Sequence, residues 1–164
     1  MTSIIPAETR ETFRTIADLA DLIWTEHYTP IIGAEQVAYM LEKYQSATAI
    51  EEQVENGVLY YLILHQGSPA GYFSVSKRED SLFLSKLYVL QPKRGNGLGR
   101  AAISFLETLA KKFGLKKISL TVNKFNTNSI RAYEKMGFIN IDAIVQDIGN
   151  GFVMDDYVLE KVIN

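Results

Sequence analysis

The chain contains no cysteine and only two histidines, His27 and His65, among its 164 residues. Without thiols there is neither a disulfide framework nor a thiolate metal site, and two separated imidazoles with no carboxylates at ligand spacing do not form one. We therefore expect no structural or catalytic metal.

Long hydrophobic runs are also missing. The longest uninterrupted apolar run covers residues 58–64, whereas a membrane helix requires about 20 such residues. Residues 1–11 lack the basic region followed by an apolar stretch that marks a secretory signal. These absences predict a cytoplasmic protein with no membrane partner.

The sequence shows no internal boundary. It has four prolines, and it contains no repeat, no low-complexity tract and no linker rich in proline, glycine or serine. Because domains usually span roughly 100–200 residues, we expect a single domain over residues 1–164.

The net charge of −2 gives no indication of nucleic acid as a partner. The charge is nevertheless unevenly distributed along the chain. Residues 1–90 hold six basic and twelve acidic side chains, residues 91–117 hold seven basic and one acidic, and residues 118–164 hold four and six. The central segment, with a net charge of +6, is the only one of the three that would attract an anion.

Hydrophobic periodicity predicts the elements of the first half. A short strand is expected over residues 3–7, followed by a helix over residues 12–26 and a second helical stretch after Pro30 and Gly33. Branched and aromatic residues then predict an antiparallel three-stranded meander, over residues 58–65, 70–77 and 81–90.

The second half alternates helix and strand. Helical spacing runs from Leu98 to a glycine cap at Gly114, and the strand predicted over residues 117–123 is parallel to the preceding one because a helix separates them. A short helix is expected over about residues 127–136, then a hairpin of residues 138–146 and 152–161. The fold class is α+β, a mixed central sheet with helices on both faces.

A glycine-rich segment joins the third strand of the meander to the next helix, with the sequence Arg94-Gly95-Asn96-Gly97-Leu98-Gly99-Arg100. Small residues let backbone N–H groups approach an anion at the positive end of a helix, so phosphate is the natural ligand. A Walker loop would need a Gly-Lys-Ser/Thr triplet, which does not occur. A dinucleotide fingerprint would need an acid about 20 residues further on, and residues 119–124 contain none. A mere tight connection is the remaining alternative.

A longer match resolves this choice. Arg94-x-x-Gly97-x-Gly99, at the start of a helix, resembles the acetyl-CoA loop of the GNAT-superfamily N-acetyltransferases. A second block is similar to the same superfamily's downstream motif, reading Ile118-x-Leu120-x-Val122-x-x-x-Asn126-x-x-Ser129-x-x-x-Tyr133-x-x-x-Gly137-Phe138. The resemblance extends over residues 5–159, and residues 81–138 are its most specific part.

The resemblance implies that acetyl-CoA is the cosubstrate, with its pyrophosphate on the loop amides. Its pantetheine arm would pair with the strand before the loop, where this strand and the one over residues 117–123 splay apart. Asn126, Ser129 and Tyr133 are spaced i, i+3 and i+7, so they share one helical stripe. A helix cap is the alternative role of Asn126, and a core aromatic that of Tyr133. The implied cofactor-binding residues are Leu87, Tyr88, Val89, Arg94, Gly95, Asn96, Gly97, Leu98, Gly99, Arg100, Asn126 and Ser129.

The chemistry implied by the resemblance is attack of an amine on the thioester. An amide near Val89 would stabilise the oxyanion, and Tyr133 would be the catalytic acid that protonates the departing thiolate. Many members of the superfamily use a carboxylate on the strand before the loop as the base, but residues 84–87 read Leu-Ser-Lys-Leu. A chain of water molecules is the favoured replacement, and the side-chain candidates are Asp155, Asp156, Glu26 and His27.

The acceptor is the least specified part. The acidic residues 1–90 suit a cationic amine, on a small molecule or a peptide. Trp24, Tyr28, Tyr39 and Tyr44 are candidates to line its cleft, although helix packing explains them equally well. The order of elements and the ending Met154-Asp155-Asp156-Tyr157 resemble bacterial acetyltransferases of the polyamine type. A coenzyme A-binding sensor or assembly module without turnover is the alternative function, and we expect a monomer or homodimer.

Overall fold

A computed structural model describes residues 1–163 of the chain. Within them, seven strands and five α-helices follow one another, and a 3-10 helix at Gln91–Lys93 precedes the glycine loop. In chain order the elements are β1 (Thr2–Pro6), α1 (Arg10–Ile32), α2 (Ala34–Tyr44), α3 (Ala47–Glu55), β2 (Leu59–His65), β3 (Ser68–Lys77), β4 (Ser81–Val89), α4 (Leu98–Lys112), β5 (Lys117–Asn123), α5 (Thr127–Lys135), β6 (Ile139–Gly149) and β7 (Phe152–Val162).

The strands form one mixed sheet in the order β1-β2-β3-β4-β5-β7-β6. Antiparallel ladders join β1 to β2, β2 to β3, β5 to β7 and β6 to β7, while β4 and β5 are parallel. This confirms the predicted α+β class and the parallel β-α-β unit. The parallel ladder joins four residue pairs, from Ser81 with Lys117 to Leu84 with Leu120.

The helix α1 is longer than the predicted helix over residues 12–26. It begins after Thr9, whose side-chain oxygen accepts a hydrogen bond from the Thr12 N–H at 3.2 Å. It continues through Pro30, which lies in the last turn, and ends at Gly33, where φ is 90° and the N–H donates to the Thr29 carbonyl. A proline in the last turn removes one helical hydrogen bond without stopping the helix, so the break comes at the glycine.

The second helical stretch is two helices, where the sequence predicted one. Between α2 and α3, the Ser46 side chain accepts a hydrogen bond from the Ala49 N–H at 3.1 Å and so caps the start of α3. Serine is among the preferred residues at this position because its oxygen satisfies an N–H that has no helical partner.

The described residues separate into two compact units. The first comprises Met1–Ser76 and Lys86–Ser104, and the second comprises Lys77–Ser85 and residues 105–163. The core of the first contains the fully buried Ile16, Ile50, Ile63, Tyr72 and Phe73. The core of the second contains the fully buried Leu82, Leu84, Leu106, Ile118, Leu120 and Leu159. The single domain expected from the chain length stays a prediction.

Candidate active site

The glycine loop in the first unit has the backbone of an anion site. Gly95 and Gly97 have φ values of 84° and 74°, which only glycine adopts without strain. The first intrahelical bond of α4 is donated by the Ala101 N–H to the Gly97 carbonyl at 2.9 Å. The N–H groups of Leu98, Gly99 and Arg100 come before that bond, and such groups carry the positive end of the helix dipole.

The loop also has room for a ligand. A methyl group placed on Gly95, Gly97 or Gly99 would meet no heavy atom within 4 Å. Arg94 and Arg100 are exposed beside this space, and no acidic residue lies in the first turn of α4. Open space, amides and two cations fit a diphosphate group such as that of coenzyme A.

Internal hydrogen bonds hold the shape of the loop. The Arg94 Nε donates to the Val89 carbonyl at 3.2 Å, and the Asn96 side-chain amide donates to the Lys93 carbonyl at 2.9 Å. Leu98, by contrast, is buried and anchors the first turn of α4. Of the predicted loop residues, Asn96 and Leu98 therefore have a structural task in addition to any contact with a ligand.

The strand segment before the loop is packed tightly against β3. A side chain at Gly71 would overlap the Tyr88 carbonyl oxygen and lie 3.1 Å from the Val89 Cα. The Leu90 N–H donates to the Ala70 carbonyl at 2.8 Å. The backbone of the predicted pantetheine segment, Leu87 to Val89, is thus fixed from the β3 side.

Tyr88 contributes its side chain to an aromatic cluster with Trp24, Tyr28 and Tyr72. Its ring centroid lies 5.4 Å from Trp24, 5.8 Å from Tyr28 and 5.6 Å from Tyr72. The hydroxyls of Tyr28 and Tyr88 are 3.1 Å apart and hydrogen-bonded. Two of the aromatic residues predicted for the acceptor cleft, Trp24 and Tyr28, are thereby placed beside the strand segment that is predicted to pair with the pantetheine arm.

The other two predicted cleft residues, Tyr39 and Tyr44, lie elsewhere on α2. Both flank Lys43, whose ammonium group lies 5.4 Å and 5.3 Å from their ring centroids and donates a hydrogen bond to the Tyr39 hydroxyl at 3.1 Å. Helix-surface packing accounts for this pair, as the alternative interpretation of the sequence held.

The helix α5, in the second unit, carries the residues of the downstream motif. Asn126 occupies the cap position and is buried, with 4% of its surface exposed, yet its side chain makes no capping hydrogen bond. Ser129 and Tyr133 are half-buried, and the Tyr133 ring packs edge-on against Phe138 at 5.4 Å. The predicted stripe is therefore the less exposed face of α5, and side-chain capping does not explain Asn126.

The candidate bases differ in their surroundings. Glu26 is exposed, and His27 packs edge-on against Tyr28 with ring centroids 4.8 Å apart. Asp155 forms a salt bridge with Lys124 at 2.6 Å. Asp156 is 3% exposed, and burial, followed by repulsion from Asp155, raises the pKa of its carboxyl group to about 6.

Comparison with known proteins identifies the family. The sequence profile of the acetyltransferase (GNAT) family matches residues 16–138, which is well over half of the chain. The chain belongs to the GNAT acetyltransferase family. It is 28% identical over 67 residues to YycN of Bacillus subtilis (strain 168), an uncharacterized N-acetyltransferase, and the match spans 41% of this chain and 43% of that protein.

Solved structures share the GNAT fold over the whole length. The PaiA N-acetyltransferase from Thermoplasma acidophilum, crystallised with coenzyme A, is similar with a TM-score of 0.81, 19% identity and 99% of each chain covered. The ribosomal-protein-S18-alanine N-acetyltransferase from Escherichia coli gives a TM-score of 0.74 at 19% identity, covering 100% of this chain and 95% of that one. At such identities the likeness establishes the fold alone.

One residue of this GNAT chain was missed as a site candidate. Lys86, two residues before Tyr88 on β4, is half-buried, with its ammonium group 5.9 Å from the centroid of the Tyr60 ring. Burial lowers the pKa of Lys86 to about 8. The signal available was the alternation of side chains along a strand. Lys86 and the packed Tyr88 are two residues apart, so their side chains lie on the same face of β4.

Among the described residues, no group of three or more His, Cys, Asp or Glu side chains is arranged to hold a metal ion. Of the helices in residues 1–163, none is both long and apolar enough to cross a membrane.

Proposed function

We propose that this GNAT protein transfers the acetyl group of acetyl-CoA to the primary amine of a small molecule or peptide by direct attack. The observation that carries the proposal is the glycine loop, where open space, helix-end amides and two arginines come together. In a chain of the GNAT family, this arrangement supports binding of the coenzyme A diphosphate.

The proposed binding roles follow the backbone. Arg94, Gly95, Asn96, Gly97, Leu98, Gly99 and Arg100 bind the diphosphate, and Leu87, Tyr88 and Val89 pair with the pantetheine arm as an added strand would. Because the Leu90 N–H is already donated to Ala70, the Val89 amide is the better donor for the oxyanion. Asn126 and Ser129 bind the cofactor from α5, consistent with a buried asparagine that makes no capping bond.

The reaction proceeds without an acetylated enzyme. The amine nitrogen forms a bond to the thioester carbon while the carbonyl electrons move to oxygen, and collapse of this oxyanion breaks the carbon–sulfur bond. Tyr133 gives its phenolic proton to the departing sulfur and regains one as the amide nitrogen loses its extra proton. Since ordinary phenol and thiol pKa values are about 10 and 8.5, Tyr133 acts mainly by hydrogen bonding to the thiolate as charge develops.

The acceptor is an amine that is cationic at neutral pH. The excess of acidic residues in 1–90 favours such a ligand, and the aromatic cluster of Trp24, Tyr28, Tyr72 and Tyr88 adds an apolar surface with hydroxyl groups. Both polyamines and lysine side chains meet this description. The cytoplasmic location, bacterial source, absence of a nucleic-acid or membrane partner, and monomeric or dimeric state stay predictions.

The experiment that tests the proposal measures free thiol released from acetyl-CoA. The amines are spermidine, putrescine, a peptide with one lysine and a peptide with a free α-amine. A fully N-methylated polyamine is the matched control, because its tertiary nitrogens keep no hydrogen to lose after attack on the thioester and so form no stable amide. We expect release with at least one primary amine and none above background with the control.

The alternative, a coenzyme A-binding module without turnover, is favoured by the lack of a carboxylate in residues 84–87. It predicts tight binding of coenzyme A with no thiol release from any amine. Failure to bind coenzyme A at all would contradict both functions.

A further inference from the structure

A buried carboxylate on β7 has no partner for one of its oxygens. Asp156 is 3% exposed and is the one carboxylate or cation among the described residues that is buried to this degree. Its Oδ1 is inaccessible and accepts no hydrogen bond from any described residue. Buried charges in proteins are normally paired, so a carboxylate oxygen without a donor requires an explanation, and a catalytic role is one of the recognised ones.

The neighbouring cation is already used. Along β7 successive side chains point to opposite faces of the sheet, so Asp155 and Asp156 face opposite ways. Lys124 pairs with Asp155 at 2.6 Å. At the register positions flanking Asp156 are Asn123 on β5 and Ile144 on β6, neither of which carries a charge.

The other titratable groups on the face of the sheet that carries Asp156 also have partners. Glu160 pairs with Lys117 at 3.2 Å. Asp142 lies opposite Val158 on β6 and accepts a hydrogen bond from the Ala143 N–H at 2.8 Å. The described groups on this face therefore offer Asp156 no positive partner, and the ligand that suits it is a cation with N–H donors.

The position of Asp156 links it to the downstream GNAT motif. It is paired with Asn123, the last residue of β5, and the Lys124 N–H donates to the Asp155 carbonyl at 3.1 Å. The Asn126 N–H then donates to the Asn123 carbonyl at 2.9 Å, directly before α5 begins. Asp156 thus lies at the end of β5 from which the chain enters the helix that carries Ser129 and Tyr133.

We infer that Asp156 binds the ammonium group of the acceptor and is the general base that removes its proton, an inference that rests on the proposed acetyl transfer. The carboxylate takes one proton from the ammonium, and the free amine attacks the thioester carbon. Of the two protons that nitrogen loses, one ends on the coenzyme A sulfur and the other leaves Asp156 for solvent. A pKa near 6 keeps the Asp156 carboxyl group ionised at neutral pH. It is also closer to the pKa of the ammonium group than the pKa of an ordinary aspartate is, which suits a general base.

The test compares Asp156→Asn with the unmodified chain, using the most active amine of the thiol-release panel, between pH 5 and pH 9. The unmodified chain should show an acidic limb in kcat/KM with an apparent pKa of about 6. In Asp156→Asn, kcat/KM for the amine should fall about a hundredfold at neutral pH and the acidic limb should disappear. Affinity for coenzyme A should be unchanged, and the thermal midpoint should rise because a buried charge has been removed.

Two neighbouring carboxylates serve as matched controls. Asp142→Asn removes a carboxylate from the same face and should leave the rate and the pH profile unchanged. Asp155→Asn should retain activity but shift the acidic limb to lower pH, because it removes the negative charge that raises the pKa of Asp156. If Asp156 had a purely structural role, the acidic limb of kcat/KM would not move in Asp155→Asn.

The outcomes separate the inference from the proposed function. If the unmodified chain releases thiol while Asp156→Asn keeps the same kcat/KM and the same acidic limb, the inference is wrong and the proposed function stands. If the unmodified chain releases no thiol with any primary amine, the proposed function is contradicted and the inference with it. An independent readout is the ¹³C resonance of the Asp156 carboxyl group, whose pKa should fall when the same amine saturates the chain; an unchanged pKa would overturn the inference.

Discussion

Tyr133 lies on a helix whose remaining surface is polar and mostly exposed, yet its own ring is half-buried against Phe138. A tyrosine used only for packing would lose little if its hydroxyl group were removed. A tyrosine that hydrogen-bonds a developing thiolate would lose transition-state stabilisation while its packing stayed intact.

We therefore expect Tyr133→Phe to lower kcat by about a hundredfold at saturating acceptor, since general acid catalysis usually contributes 10²–10⁴-fold. The measurement is thiol release at saturating acetyl-CoA. Tyr39→Phe, which removes a hydroxyl bonded to Lys43 on the surface of α2, is the matched control and should leave kcat unchanged. Full activity of Tyr133→Phe would show that the hydroxyl is not the acid.

Gly99 allows the proposed phosphate-binding role of the loop to be tested separately from the folding of the chain. It lies in the first turn of α4 with open space around its Cα, and residues other than glycine favour a helix by up to about 1 kcal/mol. Gly99→Leu should keep or raise the free energy of unfolding but weaken coenzyme A binding at least tenfold, because the side chain would occupy the space proposed for the diphosphate. Titration calorimetry and urea unfolding measure the two effects. Unchanged affinity would mean that the diphosphate lies elsewhere.

At the scale of elements, a series of hydrogen bonds joins α1, β3, the residue that follows α2, β2 and α3. The Trp24 indole donates to Tyr72 at 3.0 Å, Tyr72 donates to Gln45 at 2.5 Å, Gln45 donates to Tyr60 at 3.2 Å, and Tyr60 donates to Gln53 at 2.6 Å. Each buried polar group in this series depends on its neighbour. The series connects the helices to β2 and β3, and it includes Trp24 and Tyr72 of the aromatic cluster.

Removing the Tyr72 hydroxyl from this series of hydrogen bonds should lower the free energy of unfolding. Tyr72→Phe leaves the Trp24 N–H and the Gln45 carbonyl oxygen buried without partners, at about 1–3 kcal/mol for each group. We expect the free energy of unfolding to fall by about 3 kcal/mol in urea titrations. Tyr28→Phe, which removes the hydroxyl that a half-buried tyrosine shares in a hydrogen bond with Tyr88, should change it by less than about 1 kcal/mol. Equal losses for the two variants would mean that the buried hydrogen bonds of Tyr72 contribute no more to the free energy of unfolding than the half-buried one of Tyr28.

The strand β4 should give the stability of the protein an unusual alkaline dependence. Burial lowers the pKa of Lys86 from its ordinary 10.5 to about 8 in the folded chain. Between these values the unfolded chain binds the proton more tightly, so the free energy of unfolding rises with pH across this window. Below pH 8 the lysine is charged in both states and its burial lowers stability throughout.

The measurement is the free energy of unfolding at pH 7.5 and pH 10 for the unmodified chain and for Lys86→Met. The rise should be on the order of 2 kcal/mol larger in the unmodified chain. Lys112→Met, on the exposed end of α4, is the matched control and should behave like the unmodified chain. Identical pH dependence in Lys86→Met would contradict the assigned shift.

How far the sequence predicts these elements depends on how local the signal is. The strand β5 was predicted over its observed residues 117–123, because alternation and flanking turns lie within the segment itself. The position of β7 between β5 and β6 was not predicted, since it depends on pairing between distant strands. For the site, the loop and the α5 stripe were predicted from spacing, whereas the burial of Asp156 and Lys86 required the packed structure.

At the scale of the whole molecule, the uneven charge along the sequence is consistent with the two proposed substrates, which carry opposite charge. Residues 91–117 carry a net +6 and include Arg94 and Arg100 at the loop, whereas residues 1–90 carry −6. A near-neutral chain can therefore attract both an anionic cofactor and a cationic amine, because each responds to the nearer field.

The central claim, direct acetyl transfer from acetyl-CoA to a primary amine, is tested most directly by following the acetyl group. The chain is incubated with acetyl-CoA labelled in its acetyl group and with the most active amine, and the masses of the amine and of the chain are measured alongside free thiol. The account predicts one acetylated amine for each coenzyme A released and no label on the chain. Tight coenzyme A binding with no thiol release, or label retained covalently on the chain, would contradict it.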